Sequence, residues 1–463
     1  MSLRVLIKFH LHMLLIVMIM VVACGLSDGN GDQKIVQASE ILNNISNGKP
    51  IIYKDTIIKG NIDLASVNLP EKHIYLNAFE RDTLKLSNRV KTINSSINLI
   101  NCTIMGNLLL HNAIFKKSIF FNSVRFMGYV NFDLASFEKA SYFGQSRFNR
   151  DIYFDATEFS ENAYFGWSKV DGDAYFRISK FHKGASFNKS EFGGKIYFLG
   201  SEFYHDCYFN WAKFEKDVDF GSTRFENNAK YWLAQFGGRS NFEGAKLNSA
   251  NFLEAKFNDD VYFKNSFIAD INLLRTKYNR LFLPWRSIGH FDYDETAYLS
   301  LIANYRSLGW FEDQNECYYN YRRESLGKGP FDYLEWIFYG FGVKPSYPLL
   351  WSILVIIVFG IIYIKSNGII KLIARDELEK QIAGSNNQNI NVKKQYSFGE
   401  ISLRDPFLFS LSSFTSGLTD FLQPSIEYKV EGILAQLAVI ERLLGSSFIA
   451  LIIAAITRTW MVR

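Results

Sequence analysis

Histidine and cysteine are scarce in this chain, and neither sign of charge prevails. The seven histidines never fall at an HxxxH spacing, so a helix-borne zinc site is excluded. The stretch "GKGP" (327–330) lacks the rest of a phosphate-binding loop, and "DGD" (171–173) has the composition of a turn. Catalysis is not expected, and no metal or cofactor is implied. Four cysteines are too few for a disulfide scaffold. A net charge of +5 excludes the strongly acidic face of a DNA mimic, and between residues 101 and 280 there are 23 basic against 20 acidic side chains. A basic nucleic-acid groove is equally absent, so nucleic acid is not an expected partner.

Phenylalanine, by contrast, is abundant: 42 residues, within an aromatic content of 16%. Large apolar side chains recur at Phe115, Phe121, Phe126, Phe132, Phe137, Phe143, Phe148, Phe154, Phe159 and Phe165, and the rhythm runs on to Phe263. The steps alternate between five and six. Two residues before each ring stands a small or β-branched side chain, as in Ala135, Ser141, Ser146, Ile152, Thr157, Ala163, Ser168 and Cys207. Both members of this small-x-large unit share one face of an extended segment, because side chains alternate with period two. Steps of five or six would scatter the rings around a helix. An odd step would throw them to alternate faces of a straight strand. The chain must therefore turn a corner in every unit. Four sides make a coil of about 22 residues, and coils stack at roughly 4.8 Å. From Ile97 to Phe263 this predicts roughly seven to eight coils and a stack of ~36 Å. Weaker units at 60–69 and 97–110 extend the stack toward the N-terminus. Cys102 and Cys207 occupy inward small positions nearly five coils apart, about 23 Å at that spacing, so they are core residues and not a disulfide.

The small-x-Phe units over about 200 residues resemble the pentapeptide-repeat family. That resemblance implies an all-β right-handed quadrilateral β-helix with the small residue and the ring facing inward. The six-residue steps imply a wider corner in every second unit.

The N-terminus carries Arg4 and Lys8, an apolar run from Met13 to Ala23, and then Cys24 before a polar stretch. This is the order of a secretory signal, and the run is short for a membrane span. Val21-Val22-Ala23-Cys24 resembles a lipobox, in which Cys24 carries lipid; a cleaved signal and an uncleaved anchor are the other readings. All three place the repeat outside the cytoplasm.

The repeat ends after Phe263. Residues 293–327 have helical spacing broken at Gly309 and read as a hairpin covering the last coil. Aromatics crowd 330–347, as at a membrane interface. Two span candidates follow, 348–364, seventeen residues without a charge, and 433–456. Between them, 405–424 holds an apolar segment too short to cross and a polar turn ending in Asp420. The expected domains are thus a signal or anchor (1–24), a linker with a helical cap (25–55), the β-helix (56–282), the hairpin (283–329), the interfacial helix with the first span (330–365), a polar linker (366–404), and the pore loop with the second span (405–463).

Residues 330–463 resemble the two-transmembrane potassium-channel module, which implies an α-helical membrane domain with two transmembrane helices and a re-entrant pore loop, assembled as a homotetramer that passes monovalent cations. Against the filter motif Thr-Val-Gly-Tyr-Gly-Asp, the chain has Thr415, Ser416, Gly417, Leu418, Thr419 and Asp420. Thr415, Gly417 and Asp420 correspond. Ser416, Leu418 and Thr419 depart, and Thr419 stands where the turn needs a left-handed backbone, which puts potassium selectivity in doubt. Asp420 reads either as a cation-attracting group at the mouth or as a turn residue. Glu441 and Arg442 fall inside the second span, where charges face protein or water, or snorkel to an end. Gly445 serves close packing or a bend, packing being the simpler reading.

The function these features imply is an oligomeric, multi-pass cation channel of the cell membrane, in contact with membrane lipid and carrying an extracytoplasmic β-helical sensing or anchoring domain. The alternative is a non-conducting, membrane-tethered binding or structural protein. Lys371, Arg375, Lys380, Lys393 and Lys394 between the spans suit a cytoplasmic loop, while Arg458 and Arg463 favour the cytoplasm for the tail. The larger group decides the expected orientation.

Overall fold

A computed structural model describes residues 34–76, 82, 84, 86–327, 329–374, 396–398, 401–416 and 426–460. The chain divides into two compact units, Met1–Lys230 with Gln235–Gly238, and Tyr231–Ala234 with Arg239–Arg463. Counted over both, it forms a β-solenoid of about 11 turns followed by helices.

In the first unit, helix α1 (Ala38–Ser46) buries Ala38, Ile41 and Ile45. Strand Lys34–Gln37 already pairs in parallel with Thr56–Lys59, and Ile51–Lys54 with Ile97–Ile100. From there the chain builds four ladders. Phe115, Phe137, Phe159, Phe181, Phe203 and Phe225 are successive register partners in one. Ile119, Ser141, Ala163, Ala185, Cys207 and Ala229 form the second. Phe126, Phe148, Val170, Phe192, Phe214 and Phe236 form the third. Val130, Ile152, Ala174, Ile196 and Val218 form the fourth. Partners stand 22 residues apart throughout, as the alternating steps predict.

Every ring of the repeat is buried, Phe115, Phe154 and Phe181 completely. Rings stack on their register partners: Phe126 and Phe148 lie 4.6 Å apart and nearly parallel. Around the coil they meet edge to face, as Phe121 does Phe126 at 5.6 Å. Both are favoured geometries for aromatic quadrupoles. Each buried ring contributes about 1.5–3 kcal/mol relative to an exposed one. The small inward residue has a second task where it bears a hydroxyl: Thr157 Oγ1 donates to the Phe132 carbonyl at 2.8 Å, and Ser190 Oγ to that of Phe165 at 2.7 Å. These bonds tie a coil to the one before it and satisfy hydroxyls that would otherwise be costly to bury. Cys102 and Cys207 are buried free thiols.

Corners of the five-residue steps are four-residue turns whose third residue is left-handed. In the turn from Phe132 to Ala135, Ala135 N–H donates to Phe132 O at 3.0 Å and Leu134 has φ 55°. The same conformation recurs at Gln145, Ala156, Trp167, Ile178 and Lys189. A left-handed non-glycine residue costs roughly 1–2 kcal/mol. Its N–H stays in the inter-coil ladder, as Leu134 N–H does on Asp155 O at 2.8 Å, which offsets that cost.

In the second unit the offset shrinks. Leu247 pairs with Ile268, Ile268 with Ile288, and Val261 with Leu281, so these coils depart from the regular period by dropping residues at their corners. Helices α2 (Glu295–Leu308) and α3 (Phe311–Glu324) follow, separated by Gly309 at φ 70°. The Asp294 side chain caps α2 by accepting from Ala297 N–H at 2.8 Å. Asn304 on α2 donates to Leu281 O at 2.8 Å and accepts from Leu281 N–H at 3.0 Å. Tyr305 donates to Leu283 O at 2.8 Å. The chain ends in α4 (Ser346–Ser366), α5 (Asp405–Thr415) and α6 (Ile433–Trp460), with a small antiparallel sheet of Ile369–Ala374, Tyr396–Phe398 and Ile426–Val430.

Candidate functional site

Helices α4 and α6 are long and apolar enough to cross a membrane. Their outer surfaces carry Leu350, Ile353, Ile357, Ile361, Ile440 and Leu443, all exposed. Each outer row is a long apolar surface of the kind that marks a lipid or protein contact.

The C-terminus of α4 and the N-terminus of α6 lie at the same end of the bundle, because the strands that follow and precede them pair from Ile369–Val430 to Ile373–Ile426. Helix α5 starts at this end. The carboxylate of Asp405 there accepts from Ser402 N–H at 2.6 Å, Lys371 Nζ at 3.1 Å and Tyr428 OH at 2.9 Å. Burial works against that charge, but Ser402 N–H, Lys371 and Tyr428 together hold the carboxyl below its ordinary range.

From Asp405, α5 runs inward between the two long helices, and two glycines make room for it. A side chain at Gly360 of α4 would strike the Phe407 ring, and one at Gly445 of α6 would strike the Phe414 carbonyl. Gly445 thus serves close helix packing. Ser410 Oγ donates to Ile356 O, midway along α4, at 2.9 Å. The same hydroxyl bonds Glu441 Oε1, whose other oxygen accepts from Tyr363 OH at 2.8 Å. Glu441 is fully buried. It joins α4, α5 and α6 through one carboxylate, an arrangement of the kind expected for an ionisable group in a span.

Arg442, its neighbour, points elsewhere. It is exposed, and it makes no hydrogen bond or salt bridge to any described residue. Within one copy, the two charges singled out by the sequence thus share no hydrogen bond or ion pair, and Glu441 bonds Tyr363 and Ser410 instead. Thr415 ends α5, its hydroxyl donating to Leu411 O at 2.7 Å, and Ser416 Oγ donates to Ser413 O at 2.8 Å. Gly417, Leu418, Thr419 and Asp420, like Cys24, lie outside the described residues.

At the opposite end of the bundle, α3 meets the chain that leads into α4. Tyr319 and Tyr347 share a hydrogen bond at 3.0 Å, Trp336 Nε1 donates to Tyr319 OH at 3.1 Å, and Lys344 pairs with Glu316. Arg458, in the last turn of α6, donates to Phe341 O at 3.0 Å and lies 4.4 Å from the Tyr318 ring centroid. Gly340, Phe341 and Gly342 are all left-handed, which turns the Phe341 carbonyl toward that guanidinium. Burial would raise the Tyr318 phenol, but Arg458 and Arg322 outweigh it and hold the phenol below its ordinary value.

Sequence reasoning identified Glu441 but neither hydroxyl that serves it. The signal was present, since a carboxylate in a span needs donors and Ser410 and Tyr363 are polar groups in the two other apolar segments. Asn304, the contacts of Arg458 with Phe341 and Tyr318, and the Asp405 cluster were not anticipated. Comparison with known protein families, with curated proteins and with solved structures finds no match for the chain.

Proposed function

We propose that this protein is a membrane-anchored β-solenoid of the right-handed quadrilateral, pentapeptide-repeat type, whose helical module assembles as a homotetramer and conducts monovalent ions. The observation that carries the reading is the path of α5. It begins beside the small sheet, reaches the level of Ile356 and Gly445, and the described chain resumes at Ile426 beside the sheet again. A helix that enters from the sheet end and stops part-way, between described segments that both lie at that end, supports the reading of a re-entrant pore helix, a form tolerated at membrane depth where protein or a water-filled cavity covers it. Glu441, Tyr363 and Ser410 act in this reading as the node that fixes the pore helix. The solenoid lies on the extracytoplasmic side, given the signal-like N-terminus and the basic residues between the spans. The contacts of Arg458 and Glu316 supply a route from hairpin to span.

Purified full-length protein in planar bilayers tests this. Stepwise ionic currents are expected, and silence across ions, pH and voltage would defeat the channel reading. The departure of Leu418 and Thr419 from the filter pattern favours one second reading, a non-conducting tether. Chemical cross-linking that yields a stable tetramer, together with no ion flux, would support it.

A further inference from the structure

We infer that the permeant ion is a small anion and that Arg442 sets this sign by lining a water-filled axis between copies of α6. The inference rests on the channel reading above and revises the cation expectation.

Arg442 stands nine positions after Ile433, about 13–14 Å along the helix, which falls within the ~30 Å apolar layer. A guanidinium at that depth is not left facing hydrocarbon. The faces of α6 show what it meets instead. Ala438, Glu441, Gly445 and Phe448 form the buried stripe against α4 and α5. Ile440, Leu443 and Leu444 form an exposed apolar stripe suited to lipid. Arg442 belongs to a third stripe with Val439, Ser446 and Ala450 at helical spacing, all exposed. This stripe is smaller and more polar than the lipid-facing one.

The described carboxylates that a second copy of the helical module would bring are already paired. Among the described residues of the helices and the ends that flank them, Glu441 is buried and engaged by Tyr363 and Ser410, and Asp405 is engaged by Lys371, Ser402 and Tyr428. Glu431 pairs with Lys429 at 3.0 Å, beyond the N-terminus of α6. A ring of unneutralised guanidinium groups around water attracts anions and repels cations. Within α6, Glu441 lies on the buried stripe, away from the stripe of Arg442, and is satisfied internally.

The test is reversal potential in asymmetric KCl across a planar bilayer, using the full chain. Wild-type currents are expected to reverse on the chloride side. Arg442→Gln is expected to move reversal toward zero or to the potassium side, and Arg442→Lys to keep the chloride side. Arg442→Cys should behave like the glutamine variant until a cationic thiol reagent restores anion preference; this arm reads the charge within one folded protein. Potassium-side reversal of the wild type, or unchanged selectivity in Arg442→Gln as a snorkelled arginine would give, overturns the inference and leaves the channel reading standing. No current in any variant overturns both.

Discussion

Asn304 completes the hydrogen bonding of Leu281 with a side chain. Its amide donates to one backbone group and accepts from the other, the exchange that a neighbouring strand would make at an open sheet edge. Asn304→Leu would leave both groups of Leu281 buried without partners. A loss of about 1–3 kcal/mol is expected, read by chemical denaturation in detergent. Size-exclusion chromatography should also show self-association through the uncovered edge. Unchanged stability and an unchanged elution profile would mean the amide does not act as the terminal rung.

Phe154 sits between Phe132 at 5.2 Å and Phe176 at 5.1 Å, with no exposed surface. Phe154→Ala is expected to cost about 3–5 kcal/mol, and Phe154→Leu much less, since it retains most of the volume. A urea titration of both variants checks this. Equal effects would show that ring stacking and cavity size matter less here than burial alone.

The carboxyl group of Glu441 bonds one hydroxyl from each of two helices, so Tyr363→Phe and Ser410→Ala should each destabilise the helical module by roughly 1–3 kcal/mol. Their effects should be non-additive, with a coupling of about 0.5–3 kcal/mol. A double-mutant cycle on thermal unfolding in detergent measures it. Strict additivity would separate the two hydroxyls into independent contacts.

Asp133 makes stability depend on pH. Burial first, and then the neighbouring Asp155 carboxylate, push its pKa up to about 7, against the Asp155 N–H, Asn131 and Arg177. The folded chain therefore holds this proton more tightly than the unfolded chain, whose carboxyl releases it near 3.9. Stability from this group falls as pH rises between about 4 and 7, and is level above that window. Asp133→Asn should flatten the decline, as followed by melting temperature against pH. A parallel decline in the variant would place the titration elsewhere.

The repeat was legible because its information is local and redundant. A ring every five or six residues, with a small residue two before it, predicts which side chains are buried from Phe115 to Phe263 without any long-range knowledge. The left-handed corners were not legible. Leu134, Trp167 and Ile178 are poor turn residues by themselves, and their conformation is imposed by the backbone ladder of the next coil. The shortened coils near Ile268 and Leu281 lack the Phe rhythm that would have revealed them. In the helical module the apolar runs announced α4 and α6, but Tyr363 and Glu441 lie 78 positions apart. Only tertiary packing brings them together, as it does Arg458 and Phe341. The strand Ile369–Ala374 read as part of a polar connection because its partner, Ile426–Val430, is distant in the chain.

From Phe115 to Phe236 each coil pairs with the coil before and the coil after at the same offset of 22 residues. A tandem duplication of one whole period would therefore slot in as an additional storey, lengthening the protein by about 4.8 Å while every hydroxyl-to-carbonyl tie and every stacked pair re-forms with a new neighbour. A single-residue insertion inside a strand would throw the side chains that follow it onto the opposite face, whereas the coils of the second unit keep their ladders with residues dropped at the corners. Height is thus the dimension along which such a gene can drift cheaply, whereas girth is locked by the diameter of the packed rings.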